Sequence, residues 1–169
     1  MDTQFLKKLF TRTPPRPVPA PPSQDLQPLG DGRYRKKIMV VDDDPVMLKT
    51  LSLALNSKGY KVVTASDGPQ AIGLMRDEGP DMMLVDVSFP MEGNWVSDGF
   101  RIAQWIRHMN RGLPTIMMSG SYKPGYDTRA AAMGAEAFMV KPLDKRLLLE
   151  TISKALGTEY TAPTLKWVE

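Results

Sequence analysis

Acidic, hydroxyl and lysine side chains recur at one kind of place in this sequence, the carboxyl end of a short apolar run. The run at 38–41 leads into Asp42, Asp43 and Asp44, and the run at 82–85 into Asp86. The run at 115–118 leads into Ser119-Gly120, and the run at 137–140 into Lys141-Pro142. Carboxylates brought together repel and resist ionisation unless a cation joins them. Oxygen donors without histidine or cysteine suit Mg²⁺, which takes one or two carboxylates along with waters and phosphate oxygens. A carboxylate, a metal, a hydroxyl donor and a lysine together stabilise a phosphoryl group in transfer, because they offset charge on its oxygens. The chemistry implied is phosphoryl transfer onto an aspartate, or off one.

Each residue alone has a plainer role. Asp44 before Pro45 suits a helix N-cap with proline in the first turn. Asp86 and Ser119-Gly120 suit turns, and Lys141-Pro142 alone means little. Their joint placement is informative because of the elements that would carry them. Five runs (38–41, 62–64, 82–85, 115–118 and 137–140) lack polar alternation, as strands buried on both faces do. Helical segments begin near Pro45, Pro69, Asp98, Tyr126 and Leu143, and Gly59 is a candidate helix stop. Leu147, Leu148, Ile152 and Leu156 mark the apolar face expected of the last helix. Five strands alternating with five helices imply a doubly wound α/β fold, whose sites form at the carboxyl ends of its strands.

Composition narrows the classes. The chain has 169 residues, no cysteine and a single histidine, His108. A disulfide framework, a thiolate zinc site and a thiol nucleophile are excluded. The net charge of +3 invites a nucleic-acid reading, but residues 1–35 carry six basic and three acidic side chains and so hold the whole excess. They also hold seven of the 15 prolines. Residues 1–35 therefore read as a basic, proline-rich extension that cannot build a core and is expected to be disordered. Its PRPVPAPP stretch has the spacing of a PxxP ligand, or serves as a passive spacer. Residues 3–10 place Phe5, Leu6, Leu9 and Phe10 on one face of a helical turn, at most a weak membrane or partner contact. No signal-peptide core or membrane-spanning run is present, so a cytoplasmic location is expected. The folded unit is expected over 36–157, with a tail over 158–169.

VVDDDP (40–45), MMLVDVSFP (82–90), TIMMSGS (115–121) and AFMVKP (137–142) together resemble the two-component receiver domain, over nearly all of the expected folded unit. The resemblance implies a flavodoxin-like five-stranded parallel sheet of order 2-1-3-4-5. It implies that Asp86 is the phosphoacceptor, taking its phosphoryl group from a sensor histidine kinase or a histidine phosphotransfer protein. Asp43 would bind Mg²⁺ directly, Asp42 largely through water, and the backbone carbonyl of Ser88 would be a further ligand. Ser119 would be the switch hydroxyl, Lys141 would pair with Asp86 or its phosphate, and Phe138 would be the switch aromatic. Pro142 often follows a cis bond in this family. The chain departs from the pattern after Pro90, where MEGNWVS precedes Asp98-Gly99 in a loop about five residues longer than usual. That segment carries Trp95 and would cap the site, slow hydrolysis, select partners or be a tolerated insertion.

The function expected is a phosphorelay response regulator that is not a turnover enzyme. Its output would be contact with a downstream protein, with a phosphorylation-dependent homodimer as one form, or phosphate handed onward in a relay, since only a short tail follows Gly157. Two other readings remain. VVDDDPV also fits a haloacid dehalogenase-like phosphatase with Asp42 as nucleophile and Asp44 as general acid, which would leave Asp86 without a role. A receiver-like binding module acting without phosphate is the other. DNA binding is not expected, as no recognition helix or aromatic-basic platform is visible.

Overall fold

A computed structural model describes residues 35–88, 98–110 and 112–158. The long loop with Trp95, most of the proline-rich extension (residues 3–10 included) and the tail from 159 lie outside the described residues. Ten elements alternate: β1 (Lys37–Val41), α1 (Pro45–Asn56), β2 (Lys61–Ala65), α2 (Gly68–Glu78) and β3 (Met82–Asp86), then α3 (Gly99–Met109), β4 (Thr115–Ser119), α4 (Tyr126–Ala132), β5 (Ala137–Val140) and α5 (Lys145–Leu156). The sheet is parallel in the order β2-β1-β3-β4-β5, which is the order the resemblance implied.

The apolar runs make this sheet because their side chains alternate between two covered faces. Met39, Val41, Met83, Val85 and Met117 pack with Ala71 and Met75 of α2, Phe100, Ile102 and Ile106 of α3, and Ala130 of α4. Ile38, Val40, Met82, Leu84, Ile116 and Met118 pack with Leu51 and Leu55 of α1 and Leu148, Leu149 and Ile152 of α5. The central strands are buried along their whole length, whereas edge strand β2 is only partly covered. One sequence expectation is corrected here. Leu147 is 53% exposed and Leu149 is buried, so the inward face of α5 runs through Leu148, Leu149 and Ile152.

Aspartates start four of the five described helices. Asp44, Asp67, Asp98 and Asp144 accept from the backbone N–H of Val46, Gln70, Phe100 and Leu147 at 2.8–2.9 Å. Each satisfies a donor that the first turn leaves open. Helix α4 is the exception, since it follows Gly125 (φ +86°) with no side-chain cap. At the amino edge of the sheet, Lys37 is 2% exposed, and its ammonium donates to the carbonyl and the carboxylate of Glu78 at 2.7 and 2.8 Å. Asp81 accepts from the Lys37 backbone N–H and the Lys36 ammonium, which fixes β1 beside the start of β3.

Candidate functional site

The carboxyl ends of β1, β3, β4 and β5 bring Asp42, Asp43, Asp86, Ser119 and Lys141 to one edge of the sheet. Asp42, Asp43 and Asp86 each offer a carboxylate oxygen within 4.8 Å of the others, so the cluster could hold a metal ion. Asp42 and Asp86 are buried and Asp43 is exposed.

The charges are not shared evenly. The Lys141 ammonium donates to Asp42 Oδ2 at 2.6 Å and stands 3.5 Å from Asp86 Oδ1. Asp42 Oδ1 accepts from the Asp44 backbone N–H at 3.0 Å. The expected pairing of Lys141 with Asp86 is present, but the ammonium stands nearer Asp42 and bridges the two buried carboxylates, each of which needs a counter-charge. Asp86 Oδ1 is left without a hydrogen bond, the one buried side-chain atom so placed among the described residues. Burial pushes the Asp86 carboxyl above its ordinary range; Lys141 opposes the shift and the charge of Asp42 adds to it. A buried carboxylate oxygen beside two further carboxylates and a lysine is a ready ligand for a cation or an incoming electrophile.

Ser119 is buried, and its hydrogen bonds go to Ser121 and Ser88 rather than to Asp86. It gives its one proton to the Ser121 carbonyl at 2.6 Å and accepts from the Ser121 N–H at 3.2 Å. The 2.7 Å contact with Ser88 Oγ therefore has Ser88 as the donor. Phe138 is half-buried and meets Tyr126 edge-on at 5.9 Å and Tyr122 at 6.4 Å. Tyr126 in turn meets Phe100 edge-on at 5.3 Å. An aromatic chain thus runs from the start of α3 through α4 to β5. The Lys141-Pro142 bond is cis.

Two residues at this edge escaped assignment from the sequence. Gly99 begins α3 so close to the end of β3 that a Cβ on it would lie 1.8 Å from the Asp86 carbonyl oxygen. The Asp-Gly pair after the long loop was its only sequence signal. Arg129 of α4 reaches Asp98 at 3.1 Å and stacks over the Phe100 ring at 4.0 Å. Nothing in the sequence marks that contact.

A five-stranded parallel sheet of order 2-1-3-4-5, with acidic residues, a serine and a lysine at its carboxyl edge, defines a flavodoxin-like α/β domain with its polar site at the strand ends. The chain belongs to the response regulator receiver domain family, which it matches over residues 38–153. It is 31% identical over 132 residues to the transcriptional regulatory protein GlrR of Escherichia coli, covering 78% of this chain and 29% of that protein. The chain thus spans under a third of that relative's length. It is 27% identical over 124 residues to the polar-differentiation response regulator DivK of Brucella anthropi, covering 72% of this chain and 97% of DivK. A crystal structure of a CheY-like receiver domain from Methanospirillum hungatei superposes with a TM-score of 0.67 at 26% identity, covering 73% of this chain and 95% of that one. No helix among the described residues is long and apolar enough to cross a membrane.

Proposed function

We propose that this chain is a phosphoacceptor switch of a two-component system. It would act in the cytoplasm and take its phosphoryl group from the phosphohistidine of a sensor kinase or phosphotransfer protein. The observation that carries the proposal is the buried Oδ1 of Asp86, without a hydrogen bond and set among Asp42, Asp43 and Lys141. An Asp86 oxygen attacks phosphorus, the phosphorus–nitrogen bond to the donor histidine breaks, and the ring nitrogen keeps the electron pair. Bound Mg²⁺ would offset charge on the transferring oxygens. Asp43 and Asp86 would bind it directly and the Ser88 carbonyl would add a ligand. Both oxygens of Asp42 already have protein partners, which suits a contact through water. Lys141 would turn its ammonium toward the new phosphoryl group. Ser119 would leave Ser121 and donate to it, and Phe138 would repack with the moving loop.

Phosphorylation then shifts a balance between two surfaces, and the chain is a switch rather than a turnover enzyme. The output is contact with a downstream protein or with a second copy of the chain. The phosphatase reading gains nothing from the geometry. Asp44, its general acid, is spent on capping α1, and Asp42, its nucleophile, is held by Lys141.

Acetyl phosphate with Mg²⁺ tests the proposal. Wild type is expected to be labelled and Asp86→Asn is not. Equal labelling of both would place the acceptor elsewhere, as would sustained hydrolysis of small phosphate esters lost only in Asp42→Asn. No labelling of wild type would leave a binding module that works without phosphate.

A further inference from the structure

Helix α4 holds its place by borrowed contacts. It is seven residues long and has no side-chain cap, while each of the other described helices has 11 or 12 residues and an aspartate cap. A helix so short is not stable by itself, so its neighbours set its position. Besides the ring contacts of Tyr126, two arginines tie it to α3. Arg129 of α4 donates from Nη2 to Asp98 Oδ2 at 3.1 Å, with its guanidinium 4.0 Å from the centre of the Phe100 ring. Arg107 of α3 donates from Nη1 to the Gly134 carbonyl, just past the end of α4, at 2.8 Å.

The two ties stand in different places. Arg107 and Gly134 lie toward the amino edge of the sheet, away from the acidic cluster. Asp98 lies beside it. The other oxygen of Asp98 caps α3 at Phe100, and its neighbour Gly99 presses against the Asp86 carbonyl. Any shift of the chain behind Asp86 is therefore felt at Asp98, and through Arg129 at α4. The same helix is reached from the other side by residues 120–125, which follow Ser119 directly.

Resting on the reading of Asp86 as phosphoacceptor, we propose that Arg129 and Asp98 form a latch that holds α4 in the arrangement where Ser119 is hydrogen-bonded away from any incoming phosphoryl group. In that arrangement the Ser119 hydroxyl is committed to Ser88 and Ser121. Drawing it toward a phosphoryl group moves Ser121, five residues before Tyr126, and pulls on the start of α4. The latch opposes that pull. It joins half-exposed side chains, so it biases the balance without locking it. It works against the movement of Ser119 from the α3 side of α4, and Arg129 is a positioning residue within it.

The test titrates beryllofluoride, a phosphoryl mimic, with Mg²⁺ into the full chain by NMR, and follows hydrogen exchange of α4 amides without it. Arg129→Gln and Asp98→Asn, which keeps the cap, are each expected to bind the mimic about three- to tenfold tighter, the factor one exposed ion pair with a ring contact supplies. Their double variant is expected to bind no tighter than either single one, and Arg129→Lys to restore part of the wild-type affinity. Both single variants speed exchange in α4. Arg107→Gln speeds exchange at the end of α4 and leaves affinity unchanged. Unchanged or weaker affinity in Arg129→Gln, with wild type binding the mimic, overturns the latch. Unchanged α4 exchange overturns it too. A wild type that fails to bind the mimic sinks the phosphoacceptor reading, and the exchange rates still decide whether Arg129 and Asp98 hold α4.

Discussion

Replacing Gly99 by alanine puts a methyl group where the backbone leaves no room. The new carbon would lie 1.8 Å from the Asp86 carbonyl oxygen, 2.7 Å from its carbonyl carbon and 2.7 Å from Val87 Cα. All three are main-chain atoms, so no side chain can swing aside. Ordinary contacts sit near ~3.5 Å, so the start of α3 and the end of β3 must part by more than an ångström. Forced overpacking of that size costs roughly 2–4 kcal/mol. In a domain of this length that lowers the melting temperature by roughly 6–16 °C. Gly73 is the control. It lies within α2 and nothing stands within 4 Å of its would-be Cβ. There alanine should add roughly 0.5–1 kcal/mol by restricting the unfolded chain and favouring the helix. Urea unfolding of the two variants beside wild type reads both numbers. Because two of the three displaced atoms belong to Asp86, labelling by acetyl phosphate should also slow in Gly99→Ala under conditions where it remains folded. A Gly99→Ala variant as stable as wild type would refute the close approach, and with it the claim that Asp98-Gly99 senses the back of β3 behind Asp86.

Three further outcomes are expected. Its bond to Lys37 holds the Glu78 carboxyl below its ordinary range. The folded value lies under the unfolded one, so this stabilisation is present above the unfolded pKa and is lost as pH falls through the folded pKa. Denaturation midpoints of wild type should therefore drop more steeply than those of Glu78→Gln on acidification below the ordinary glutamate range; parallel curves would count against the pairing. Mg²⁺ at ten times its dissociation constant should stabilise the chain by about 1.4 kcal/mol, visible as a rise in melting temperature. An equal rise in Asp43→Ala would dismiss the acidic cluster as its site. Ser88→Ala removes the hydroxyl that donates to Ser119, so labelling by acetyl phosphate should be faster by roughly fivefold, the worth of one hydrogen bond; an unchanged or slower rate would show that Ser88 does not restrain the Ser119 hydroxyl.

The sheet and the members of the site were legible because both follow from patterns along the chain. Apolar runs without alternation gave five strands, and polar residues at their carboxyl ends gave the cluster. Asp44 as the cap of α1 was readable for the same reason, since a cap is a local event. Leu147 was misplaced because adjacent leucines offer two overlapping faces, and only packing on the sheet selects Leu148 and Leu149. That Lys141 also pairs with Asp42, and more closely than with Asp86, depends on packing at the strand ends, which spacing does not reveal. Arg129 and Asp98 are 31 residues apart and lie on different elements, and the burial of Lys37 rests on Glu78, 41 residues away. Such pairs exist only once the strands are ordered in space.

That ordering has a consequence for how the chain is built. β1 lies between β2 and β3, so the first two crossovers complete a three-stranded sheet from residues 37–86. Each later strand then meets a single earlier neighbour, β4 on β3 and β5 on β4. The domain can therefore grow outward as it leaves the ribosome, each new strand finding its template already in place. The early half contains the Lys37 ion pair. The late half contains the uncapped helix α4 and the outer strand β5. Cooperative opening is cheapest where there are fewest neighbours, so the last part to assemble is also the part that moves at least cost.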